Sequence, residues 1–111
     1  MTEKNRYDCR NIAMYHGYDA QSRQLIEEMA ELTQAINKFW RNVLDEGKKN
    51  LSDVDFVTPE KEDIVSEIAD VEVCLEHIKM FLDCRERVEN VIDYKIAREL
   101  ENIEKKEKKH E

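Results

Sequence analysis

Two short runs of acids carry side chains able to do chemistry together: Glu27-Glu28-x-x-Glu31 and, much later, Glu67-x-x-Asp70. Residues three or four apart share a helix face, so each run sets like charges side by side. Helix stability alone would not choose that arrangement. Carboxylates beside an apolar stripe lose hydration as helices pack, unless they are paired or hold a metal ion. A multi-carboxylate, all-oxygen site suits a hard cation such as Mg²⁺ or Mn²⁺. Two antiparallel helices would gather Glu28, Glu31, Glu67 and Asp70 into one cluster. The plainer alternative is a set of ordinary solvated acids, since E-x-x-E recurs by chance in Glu-rich helices.

The elements that must position these groups follow from periodicity. Leu25, Met29, Leu32, Ile36, Phe39 and Val43 step by fours and threes, which predicts a helix from about Asp19 to Leu44. Glu28 falls at the margin of that stripe, and Glu27 lies outermost. Ile64, Ile68, Val71, Leu75, Ile78 and Leu82 predict a second helix over Pro59–Asp83, with Glu67 just inside the stripe's border and Asp70 at its edge. Thr58-Pro59-Glu60 supplies a cap, a proline at the first helical position and an acid in the first turn. A third helix starts near Arg85 and carries Val88, Ile92, Ile96, Leu100 and Ile103. Its charged end, 104–111, is expected to fray or stay solvated. A short helix over 5–16 ends at Gly17, a natural stop. The segment 45–57 breaks the pattern and reads as a long loop, of a length that is often mobile or functional.

With 111 residues, two glycines and one proline, the chain has room for one domain and too few turn-formers for an all-β fold. The expected fold class is an all-α helical bundle in a single domain over 1–111. Eighteen basic against 26 acidic residues give a net charge of −8. That argues against sequence-independent binding of a nucleic acid polymer, which rests on a basic face. A nucleotide stays open, because a metal ion inverts the local sign. No apolar run approaches the roughly 18 residues that a membrane helix needs. The first residues, MTEKNRYDCRN, lack a signal-peptide core, so a cytoplasmic location is expected. Cys9, Cys74 and Cys84 lack C-x-x-C spacing and read as buried thiols, not a disulfide framework.

Other polar residues divide between functional and structural readings. Gln21 shares the side of Gln24 and Glu28, which makes it a candidate substrate contact. His16 either meets a nucleobase or simply ends its helix before Gly17. His77 reads as a polar boundary residue, and Phe39 and Trp40 as core or subunit interface. Glu107-x-x-His110 matches half of a di-iron pattern, but only once and in the charged tail. Lys95, Arg98 and Asn102 share one side of the third helix, as phosphate contacts or as surface ion-pair formers.

Glu27-Glu28-Met29-Ala30-Glu31-Leu32, followed by Glu67-Ile68-Ala69-Asp70-Val71, resembles the E-E-x-x-E … E-x-x-D pattern of MazG-like all-α nucleoside triphosphate pyrophosphohydrolases. The likeness extends to Tyr15-His16-Gly17, Gln21, Ala35-Ile36-Asn37-Lys38 and Tyr94-Lys95-Ile96-Ala97-Arg98, so it covers most of 15–103. It implies cleavage of a nucleoside triphosphate, a deoxynucleotide or non-standard one, between the α and β phosphorus atoms. The products would be a monophosphate and pyrophosphate. It further implies that Glu28, Glu31, Glu67 and Asp70 hold Mg²⁺, with Mn²⁺ as a substitute. Glu27 would support the site or position the water, and Lys95, Arg98 and Lys38 would contact substrate. Related enzymes assemble as homodimers or homotetramers, which suits wide stripes on so short a chain. The gap between Glu31 and Glu67 is longer than in compact members, owing to the 45–57 loop. Two other readings stand beside this one: a non-catalytic helical module with acidic partner-binding faces, and a phosphohydrolase of another pyrophosphate-containing metabolite.

Overall fold

A computed structural model of the chain describes residues 1–44 and 58–110. The 45–57 loop expected from sequence lies outside the described residues, as do the side chains of Val43 and Leu44. Four helices follow in order: α1 (Glu3–His16), α2 (Tyr18–Phe39), α3 (Pro59–Leu82) and α4 (Arg85–Lys109). No strand occurs among the described residues, so the fold is the all-α bundle expected.

The caps are local and chemical. Thr2 Oγ1 accepts from the Asn5 amide at 3.1 Å to start α1, and Thr58 Oγ1 accepts from Lys61 at 3.1 Å to start α3. Gly17 closes α1 by donating its N–H to the Ala13 carbonyl at 2.8 Å, and its own carbonyl opens α2. It does so at φ 87° and ψ 163°, a conformation open to glycine and strained for other residues. Helix continues beyond Phe39 to Leu44, as the apolar steps require, but as one wider π-helical turn over Trp40–Leu44.

The chain forms two compact units, Met1–Phe81 and Leu82–Glu111. In the first, α2 and α3 run antiparallel. Tyr18 meets Phe81 edge-to-face at 5.7 Å, Gln21 meets His77, and Glu28 and Glu31 meet Glu67. Moving forward along α2 therefore moves backward along α3.

Burial shows which residues make the seam. On α2 it runs through Gln21, Leu25, Glu28, Leu32, Ala35 and Phe39; on α3 through Ile64, Glu67, Val71, Cys74, Ile78 and Phe81. Both helices are turned by about 50° from the apolar stripe, half the roughly 100° between successive residues. Each therefore presents the residue just before an expected apolar one: Glu28 for Met29, Ala35 for Ile36, Glu67 for Ile68 and Cys74 for Leu75. Met29, Ile36, Ile68 and Leu75 stay exposed at 44, 49, 42 and 37%. The expectation that those four line the core is corrected: the packed face is centred on the acids. Helix α1 contributes buried Cys9 and Ala13, and its Arg6 reaches Glu76 of α3 at 3.6 Å.

The second unit is α4 with its preceding turn, where Asp83 sits at φ 47°. None of its residues is fully buried. The end expected to fray or stay solvated is exposed, and it stays helical to Lys109. A Glu104–Lys108 pair at 3.3 Å and lysines in the last turn favour helix there.

Candidate metal centre

Glu28 and Glu67 enter the helix seam because the rotation of α2 and α3 puts them there, one facing the other. One oxygen each from Glu28, Glu31 and Glu67 lies within 4.8 Å of the others. Glu28 and Glu67 are half-buried, and Glu31 is exposed at the rim. The Oε2 atoms of Glu28 and Glu67 are both buried with no hydrogen-bond partner. Glu28 Oε1 accepts from Gln24 Nε2 at 2.6 Å. No ion pair among the described residues involves any of these acids.

Asp70 is exposed one turn along α3, close enough for its charge to act on Glu67. The Glu67 carboxyl is pushed up from the ordinary range. Loss of hydration comes first, then repulsion from Glu31, Asp70 and Glu28, then a hydrogen bond to Glu28 that only the protonated Glu67 can donate. Carboxylates at this separation favour a proton or a cation between them. Two shielded oxygens without donors, on a hard-oxygen ligand set, fit a divalent cation, with Glu28, Glu31 and Glu67 as ligands and Asp70 beside them. The nearby thiol of Cys74 is also pushed up, by burial first and then by Glu28, Asp70 and Cys9, so it stays protonated and unreactive. No disulfide joins the three cysteines.

The remaining sequence candidates lie in different places. Glu27 is exposed next to Glu28, and Lys38 is exposed in the last turn of α2. His16 is exposed at the end of α1, its ring edge-on to Tyr15 at 4.9 Å. Lys95 and Arg98 are exposed on α4, in the second unit. Gln21, read from sequence as a substrate contact, is instead buried, its Oε1 2.7 Å from His77 Nδ1. An amide oxygen only accepts, so Nδ1 carries the proton and Nε2 is a bare lone pair. His77 is not a boundary residue: it is 3% exposed and its Nε2 has no partner.

Sequence reasoning missed the ionic group beside it. Glu76 is buried, between Arg6 at 3.6 Å and Lys79 at 3.3 Å. Only the i,i+3 spacing to Lys79 was readable beforehand, because Arg6 arrives from another helix. It also missed Gln24 as a partner of Glu28, though the i,i+4 spacing announced it.

No family model, no curated protein and no solved structure matches this chain. The likeness to MazG-like enzymes therefore rests on the motif residues alone.

Proposed function

We propose that this chain is a divalent-cation-dependent nucleoside triphosphate pyrophosphohydrolase, releasing a nucleoside monophosphate and pyrophosphate. The observation that carries the reading is the meeting of Glu28, Glu31 and Glu67 in the helix seam, with two shielded oxygens left unpartnered. Glu28, Glu31, Glu67 and Asp70 would hold Mg²⁺, or Mn²⁺ in its place. Such an ion, when bound, neutralises phosphate charge and makes water more acidic. The chain's own part is positioning, which is most of what phosphoryl transfer asks of a protein. Glu27, exposed beside Glu28, would orient the attacking water. Lys95 and Arg98, about one turn apart on α4, are the residues to which the resemblance assigns phosphate contacts. Lys38 and His16 are further substrate contacts in this reading; Gln21 is withdrawn because His77 engages its oxygen.

A deoxynucleotide or a non-standard nucleotide is the substrate class, with no nucleic acid polymer involved. Self-association as a homodimer or homotetramer belongs to the same proposal, supported by the exposed edge of Met29, Ile36, Ile68 and Leu75. No helix among the described residues is long and apolar enough to cross a membrane.

The exposed edge favours a second reading, a non-catalytic interaction module that uses its apolar and acidic faces to bind partners. Product analysis decides between the two. The purified protein is incubated with a panel of ribo- and deoxynucleoside triphosphates in Mg²⁺, Mn²⁺ or EDTA. Monophosphate plus pyrophosphate, abolished by EDTA, is the expected result. Diphosphate plus orthophosphate would overturn the site of cleavage. No turnover, with no cation effect on melting, would leave the interaction module.

A further inference from the structure

Glu28 has two oxygens with opposite surroundings. Oε1 accepts the Gln24 amide at 2.6 Å, whereas Oε2 is buried with no donor, and an oxygen of this carboxylate lies within 4.8 Å of one from Glu31 and one from Glu67. We infer that Gln24 is a positioning residue: its hydrogen bond fixes the Glu28 carboxylate so that Oε2 is offered to a divalent cation in the seam. This rests on the metal-binding reading above.

The chemistry of the donor supports that role. Side chains four apart on a helix are neighbours, and the amide comes from the turn before Glu28. Glu31, Glu67 and Asp70, as carboxylates, offer only acceptors to Glu28. Gln24 is therefore the one donor recorded on this carboxylate among the described residues. An untethered glutamate samples several rotamers, and selecting one of them on binding costs free energy. A tether formed in advance removes that cost, the usual contribution of partners that hold metal ligands from behind. A lysine at the same place would also donate, but its charge would neutralise Glu28 and compete with the cation. A carboxamide orients the ligand and leaves its charge for the metal.

The test compares wild type with Gln24→Met, which keeps length and helix propensity but has no donor. Gln34→Met, at an exposed site further along α2, is the control. Mn²⁺ binding is followed by titration calorimetry and by the electron paramagnetic resonance spectrum of the bound ion. Melting without metal is measured in parallel. Gln24→Met should weaken Mn²⁺ binding about 10- to 100-fold, alter the bound-ion spectrum and leave metal-free melting near that of wild type. Gln34→Met should match wild type throughout. Equal Mn²⁺ affinity and spectrum in Gln24→Met would overturn the positioning role while the metal site stands. Failure of wild type itself to bind Mn²⁺ would overturn both.

Discussion

At the scale of single residues, the acids of the seam are crowded by like charge and short of hydration. Glu67 faces Glu28 and Glu31, and its carboxyl is pushed up by lost hydration and by their charges. Glu67→Gln keeps the shape and removes one like charge. The metal-free protein should therefore melt at a higher temperature than wild type. Wild type should gain about 2.7 kcal/mol from Mg²⁺ at 100 times its dissociation constant, and the variant should gain almost none. Calorimetric melts with and without Mg²⁺ check both halves; a wild-type-like Mg²⁺ shift in the variant would remove Glu67 from the site. His77 gives the pH dependence. Burial holds its pKa below the ordinary 6.5, and His16 adds repulsion that Glu76 partly opposes. The unfolded chain therefore takes up the proton first as pH falls. Stability should be fully present above 6.5 and decline as pH drops below it toward the folded value. His77→Gln should flatten that part of the melting profile, and an unchanged slope would assign the effect to other groups.

At the scale of elements, two devices fix how α1 meets α2 and α3. The first is Gly17, which ends one helix and begins the next at positive φ. A Cβ there would meet nothing within 4 Å, so a substitution strains only the backbone. Gly17→Ala should destabilise by about 1–3 kcal/mol, read from urea melts; a smaller loss would mean the junction relaxes. The second is the Arg6–Glu76–Lys79 group, which ties α1 to α3 through a buried carboxylate. Its acid is paired from two sides, which is what makes burial tolerable. The same arithmetic sets the seam of Glu28, Glu31 and Glu67 apart, where the facing groups are all acids and no ion pair among the described residues offsets them.

At the scale of the molecule, a two-sided α2–α3 pair emerges. One edge carries Glu31 and Asp70; the other carries Met29, Ile36, Ile68 and Leu75, all exposed. Helix α4 adds Ile92, Ile96 and Leu100, also exposed. Exposed apolar surface of this kind marks association. In the proposed homo-oligomer, Ile68→Lys on the apolar edge should shift light-scattering mass toward the monomer. The Mg²⁺-induced rise in melting temperature should survive, because Glu28 and Glu67 lie in the seam and Glu31 and Asp70 on the other edge. A wild type that is already monomeric at high concentration would overturn the self-association proposal.

Much of the fold was legible in the sequence because its causes are local. Apolar residues at steps of three and four, Thr58-Pro59 and Gly17 determine where helices start, run and stop, within a residue or two except at the far end of α4, where helix runs on to Lys109. The pairing of Glu28 and Glu31 with Glu67 was also legible, since an antiparallel pair brings mid-helix positions level. Periodicity does not determine the rotation of a helix about its own axis when its apolar stripe is wide. That choice belongs to tertiary packing. It places Glu28, Glu67 and Cys74 in the seam, leaves Met29, Ile68 and Leu75 outside it, and turns Gln21 and His77 from candidate surface groups into a buried pair.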